Sequence, residues 1–285
     1  MTLISMLLAL IIERLAVRSN AWQASRYCRA FVRFSAGSAL NKLASHQLGQ
    51  YLWLALPGAA LTLLLYLADS HLLSLVVSTL VLLVAIGCWH YRQLYKQYLN
   101  AMERGDEEAA FLAMQQIRTD MGSQREQSSY GQLLVWLNFR YYATVVFWFL
   151  LLGVFGVITY ALVRHLQETV VDDDAADYAV CLGDDNKAVH CIAHWAHWFP
   201  ARLFGLGFAL VGHFSRASTT LLSYFLDFTA DNEHVVADVA TAAEPLPVES
   251  LNTLEDSSYM VQLAKRNMLF FLAFTAILTL SGWLG

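Results

Sequence analysis

The chain has 285 residues, of which 57% are hydrophobic and 14% charged, and it carries a formal net charge of -5. Soluble domains carry about 45–50% apolar and ~25% charged residues, so this chain has too little polar surface to coat a water-soluble globule of its length. The small net charge selects no partner; its distribution along the chain is the informative quantity.

The first element is an N-terminal helix over 1–18, MTLISMLLALIIERLAVR. It lacks a basic leader and has Glu13-Arg14 where a cleavage site would need small residues, so a removable signal peptide is not predicted. Its apolar part is short for a span. Either the helix is half-buried, or Glu13 and Arg14 enter the membrane zone as a pair. The stretch from Glu13 to Gln50 holds Arg14, Arg18, Arg26, Arg29, Arg33 and Lys42 against the single acid Glu13. The positive-inside rule places it in the cytoplasm.

Residues 51–90 then form a helical hairpin. Its arms are the uncharged runs Leu52–Ala68 and Leu72–Trp89, and its outer turn is Asp69-Ser70-His71. At ~1.5 Å per residue each arm approaches the ~30 Å of a hydrocarbon core. The runs are continuous rather than alternating, which predicts helices and not barrel strands. Residues 91–142 return to the cytoplasmic side as a helical segment. Leu94, Tyr95, Tyr98, Leu99 and Met102, then Phe111, Met114 and Ile117, recur at helical spacing, with a break at Arg104-Gly105-Asp106. This is the pattern of an amphipathic hairpin, packed on the spans or lying at the headgroups.

A span over 143–164 follows, and 165–198 is a loop rich in acid, with Asp172, Asp173, Asp174, Asp177, Asp184 and Asp185. That profile is periplasmic. Cys181 and Cys191 fall in this oxidising compartment, so a disulfide between them is expected, two free thiols being the alternative; Cys28 and Cys88 stay reduced. Residues 199–214, apolar except for Arg202 and His213, read as a short span, a re-entrant helix or an amphipathic helix, and a span restores the chain to the inner side. Residues 215–266 are expected to be a cytoplasmic loop, partly disordered, and 267–285 a C-terminal span. The fold class is therefore all-α: one polytopic membrane bundle of about five to six embedded helices with amphipathic cytoplasmic helices.

Polar residues near spans are costly and are functional candidates: Glu13, Arg14, Asn138, Arg140, Arg164, Arg202 and His213. Arginine suits bidentate contact with phosphate or carboxylate, whereas an arginine at a helix end that only snorkels to the headgroups has no such role. His190, His194 and His197 share a helical face beside Trp195 and Trp198, but no carboxylate pair or second cysteine pair completes a metal-ligand set, so no metal is assigned. The stretch Gly207–Phe214, GFALVGHF, echoes a phosphate loop with His213 in place of lysine and Phe214 in place of the hydroxyl residue. Gly205, Gly207, Ala209 and Gly212 read better as a surface for close helix packing. No Ser/His/Asp order, HExxH or CxxC occurs, and neither catalytic residues nor a cofactor are assigned. The expected partners are the lipid bilayer and a membrane or cytoplasmic protein, with no nucleic acid.

Several pieces carry a family resemblance together. They are Glu13-Arg14-Leu15, Trp89-His90-Tyr91 with Tyr98, Trp136-Leu137-Asn138-Phe139-Arg140-Tyr141 leading to Phe147-Trp148, Tyr160 with Arg164, Trp198-Phe199-Pro200-Ala201-Arg202-Leu203, and Leu210-Val211-Gly212-His213. In order and spacing the chain resembles the AmpE family, multi-pass proteins of the inner membrane linked to regulation of β-lactamase induction in Gram-negative bacteria. That family is in turn distantly similar to the cobinamide-phosphate synthase membrane enzymes, through an N-terminal Glu-Arg, a Phe-Trp pair and a Trp-x-Pro-Ala-Arg-Leu segment. The likeness points to Glu13, Arg14, Phe147, Trp148, Pro200, Arg202 and Leu203. Those enzymes have an acidic stretch before the Phe-Trp pair, whereas this chain has no carboxylate between Glu126 and Glu168. The resemblance thus implies a regulatory protein acting through contacts and without catalysis. The alternative is a membrane enzyme or binder whose Glu13, Arg14, Asn138, Arg140 and Arg202 line a pocket for an anionic ligand. A transporter is a weaker third reading, because no inverted repeat is detectable.

Overall fold

The computed structural model describes residues 2–16, 22–38, 40–44, 46–123, 125, 128–168, 187–247 and 251–282. Secondary structure among these residues is entirely helical. The chain divides into two compact units, Met1–Trp89 with Val145–Ala193, and His90–Thr144 with His194–Gly285.

The first unit contains α1 (Thr2–Ala16), α2 (Ala24–Ala36), α3 (Leu40–Ala44), α4 (Gln47–Ala68), α5 (His71–Ile86) and most of α9 (Thr144–Glu168). The hairpin turn between α4 and α5 is built locally. Asp69 takes the left-handed conformation at φ 42°, and the Ser70 hydroxyl accepts from the Leu73 amide to cap α5. α1 packs against α5. Trp53 and Leu54 of α4 meet Val32 of α2 and Leu162, Val163 and Leu166 of α9 in a buried core. Gly58 lies so close to α9 that a Cβ would sit 2.8 Å from the Phe155 carbonyl oxygen. Leu64, Leu67 and Leu72 are more than half exposed, a distribution suited to a hydrocarbon surround and costly in water.

The second unit contains α6 (Trp89–Glu103), α7 (Glu107–Asp120), α8 (Tyr130–Asn138), α11 (Phe214–Tyr224), α12 (Asn232–Ala243), α13 (Leu254–Leu280) and most of α10 (Lys187–Val211). The break predicted at Arg104-Gly105-Asp106 is present: Gly105 has φ 73°, and the Asp106 carboxylate caps α7 through the Ala109 amide at 3.0 Å. α8 opens on a reciprocal capping box between Ser129 and Gln132. α8 packs on α12 and α13, and α11 packs on α12. The glycines expected to serve close packing do so: a Cβ on Gly207 would lie 2.1 Å from the Asn267 side-chain oxygen of α13, and one on Gly212 would lie 2.6 Å from the Ala243 carbonyl oxygen.

Several expectations are corrected. Among the described residues three helical stretches, Leu48–Ala68, Tyr130–Glu168 and Leu254–Leu280, are long and apolar enough to cross a membrane, or four if α5 and α6 form one bent span. That is fewer than the five to six expected. The segment 199–214 is not an element of its own; it is the second half of α10, a 25-residue helix that contains Pro200 and begins at Lys187. The stretch 215–266, expected as a loop, is largely helical among its described residues, which form α11, α12 and the start of α13. The span expected over 143–164 falls within the apolar helical stretch Tyr130–Glu168. A wide π turn at Phe139–Ala143 precedes it, and Gly153, at φ 61° and ψ -142°, breaks it. Cys181 and the acidic residues Asp172 to Asp185 lie outside the described residues.

Candidate functional site

The second unit buries an unusual amount of polar chemistry. Arg140, His197, Arg202, Asn232 and Glu233 are each about 95% buried or more. Charged groups are buried only where other groups compensate them, so their partners define what the cluster can do.

Arg140 sits on the π turn, whose wide winding is marked by the Thr144 amide bonding back to the Phe139 carbonyl. The extra residue in this turn places the Arg140 guanidinium toward α7. It donates to the Met121 carbonyl at 2.8 Å and lies 6.0 Å from the Trp136 ring centre. It also interacts electrostatically with Glu233. Glu233, in the first turn of α12, accepts a hydrogen bond from the Ser123 hydroxyl. Burial pushes the Glu233 carboxyl above the usual carboxylate range. The Ser123 bond opposes this, Asp231 adds to it, and the charges of Arg140 and His234 oppose it further.

Arg202 addresses the same helix start from α10. Its guanidinium donates to the Asn232 side-chain oxygen at 2.7 Å, to the Asp227 carbonyl at 2.8 Å, to the Tyr224 carbonyl at 3.2 Å and to the Trp198 carbonyl at 3.3 Å. It also stacks 4.6 Å over the Trp198 ring. Asn232 passes the connection on by donating to the His194 carbonyl at 3.0 Å. The Trp198 indole donates to the Asp227 carbonyl at 3.3 Å, and a His194 ring nitrogen lies 2.8 Å from the Phe228 carbonyl. The loop from Tyr224 to Asn232 is thereby tied to α10 through its own backbone. At its tip the exposed Asp227 carboxylate accepts from the Thr229 hydroxyl at 2.7 Å, from the Thr229 amide at 2.9 Å and from the Ala230 amide at 3.0 Å; these bonds hold its carboxyl below the usual range.

Of the residues selected from sequence, Arg140 and Arg202 therefore share one feature, the Asn232-Glu233 start of α12. Asn138 is half-buried at the end of α8, and His213 is exposed where α11 begins. Glu13 belongs to the first unit and is buried there, whereas the Arg14 side chain lies outside the described residues. The three histidines diverge: His190 is exposed, His194 turns to the Phe228 carbonyl, and His197 packs edge-on against Trp136 at 5.3 Å. Among the described residues no group of three His, Cys, Asp or Glu side chains is placed to hold a metal ion. Sequence reasoning missed Asn232, Glu233 and Ser123. The available signal was the cap-like Asp231-Asn232-Glu233 before the apolar run that follows it.

The model of the family described as "Regulatory signalling modulator protein AmpE" matches residues 1–285. The chain belongs to the AmpE family. A curated relative, Protein AmpE of Shigella flexneri, is 28% identical over 298 residues, covering 99% of both chains. No solved structure matches. Arg140 and Arg202 sit within two of the segments that carried the resemblance to the AmpE family, Trp136–Tyr141 and Trp198–Leu203.

Proposed function

We propose that this AmpE-family chain is a multi-pass protein of the inner membrane that modulates signalling linked to β-lactamase induction and cell-wall stress, and that it acts through conformation and contact rather than turnover. The observation that carries this reading is the engagement of Arg202, which donates to the Asn232 side chain and to three backbone carbonyls around one loop. A guanidinium committed to one side chain and three carbonyls is built to hold a surface in shape. An anion-binding arginine would present its fork to a ligand. The apolar stretches support the membrane assignment, and the basic residues before Gln50 support a cytoplasmic side for that segment. A disulfide between Cys181 and Cys191 belongs to the same topology and is proposed with it.

The test is β-lactamase activity after exposure to a β-lactam in a host with an inducible enzyme and the chromosomal gene for this chain removed. The expected result is an altered induction ratio that the intact chain restores. Arg202→Ala should fail to restore it at matched membrane abundance, while Arg216→Ala restores it. Unchanged induction on removal of the gene overturns the proposal.

A further inference from the structure

The first unit contains an apolar cavity of about 530 Å³, bounded by α2, α4, α5 and α9 through Tyr27, Phe31, Leu61, Val81 and Ile158 among others. Among the described residues no charged side chain lines it. Its size lies within the ~300–1000 Å³ of ligand pockets, and a void so lined is unfavourable for water and forfeits dispersion contacts if left empty.

α2 covers this cavity and has a second face of opposite character. Tyr27, Cys28 and Phe31 turn to the cavity, whereas Arg26, Arg29 and Arg33 recur at spacings of three and four. At ~100° per residue these arginines fall within an arc of about 60° on the far side. Arg26 and Arg33 are exposed, and α2 contains no acid. Tyr27, exposed, and Trp22, half-buried, both line the cavity, and aromatic rings of this partly exposed kind favour a headgroup boundary. A basic amphipathic helix with aromatic rings at its edge is suited to an anionic lipid surface. The fit of α2 is close: a Cβ on Gly87, at the end of α5, would lie 2.1 Å from the Trp22 carbonyl oxygen.

We infer that this unit holds an anionic phospholipid, one acyl chain occupying the cavity beneath α2 and the phosphate lying at the level of the α2 arginines. The inference rests on the reading that α4 and α9 lie in a bilayer. The complementary charge selects an anionic over a zwitterionic lipid, and the uncharged lining selects a hydrocarbon chain over a polar metabolite.

The full chain, purified in detergent, is titrated with dioleoyl phosphatidylglycerol or dioleoyl phosphatidylcholine and read by native mass spectrometry. One phosphatidylglycerol should be retained preferentially. Replacing Arg26 and Arg33 by Gln should weaken that retention roughly fivefold per charge and leave phosphatidylcholine unaffected. Ala161→Phe, which fills the cavity, should abolish it. Phosphatidylglycerol carrying a diazirine on its acyl chain, used with the unaltered chain, should crosslink to Leu61, Val81 and Ile158. Equal retention of the two lipids, or crosslinks spread over outward residues such as Leu64 and Leu151, overturns the proposal. Release of the chain from membranes by alkaline carbonate overturns the membrane reading itself and this site with it.

Discussion

Replacing Arg202 by Ala should cost the second unit ~3–4 kcal/mol of stability. The substitution removes the short donors from the Asn232 side-chain oxygen and the Asp227 carbonyl, at 2.7 and 2.8 Å. The Asn232 oxygen, a buried acceptor left without this donor, costs ~1–3 kcal/mol; the Asp227 carbonyl keeps the Trp198 indole and loses only ~1 kcal/mol, and losing the stacking over Trp198 adds ~0.5–2 kcal/mol. The bonds to the Tyr224 and Trp198 carbonyls are longer, at 3.2 and 3.3 Å, and add little. Water reaching the loop side keeps the total in the lower half of the summed range. For a unit of this size that loss lowers the melting temperature by roughly 10 °C. Arg202→Lys keeps the charge but satisfies only one of the two short acceptors, so it should recover about half of the loss. Arg216→Ala, at an exposed position, should stay within ~0.5 kcal/mol of the unaltered chain. The assay is thermal unfolding in detergent, paired with limited proteolysis between Phe225 and Asp231, where cleavage should rise first. If Arg202→Ala melts with Arg216→Ala and the loop is cut no faster, the clamp is not what holds the loop.

Glu233 gives a pH signature. Because burial raises its carboxyl in the folded state, the folded chain holds a proton that the unfolded chain releases, and stability falls as pH rises from the ordinary carboxylate range through the raised value; Glu233→Gln should flatten that slope in melting curves taken between pH 4 and 8, and an unchanged slope would count against the assignment. Cys28 should resist iodoacetamide at pH 8 in the reduced, folded protein while the exposed Cys191 reacts. Burial pushes the Cys28 thiol up to about 12, cutting its thiolate roughly a thousandfold below that of an ordinary thiol. Equal alkylation of the two by mass mapping would refute this.

The parts of the fold that were legible in the sequence are those set by local chemistry. The α4–α5 turn and the α6–α7 break each rest on a residue with positive φ followed by a side-chain cap, and such signals lie within a few positions of one another. α12 was not legible despite the local cap at Asp231, because its helix is short and much of its burial comes from α8, which lies far earlier in the chain. Only the part of α10 from residue 199 was legible, because His190, His194 and His197 lower the average hydropathy of its first half, although His194 and His197 are taken up by partners inside the second unit. Arg202 stood out because burying a guanidinium is expensive, but its partners were invisible. Three of the four are backbone carbonyls, which carry no residue identity.

The π turn at Phe139–Ala143 sets a counting rule on the chain. It lies inside the continuous helical stretch Tyr130–Glu168, and its one surplus residue is absorbed without a loop. Deleting Phe139, for example, would let the turn rewind as ordinary α-helix and rotate Arg140 by ~100° relative to Trp136. The Arg140 guanidinium would then no longer reach the Met121 carbonyl. Gaining or losing a residue in the turn should therefore damage the second unit as much as removing Arg140 itself, unless a second length change nearby restores the phase.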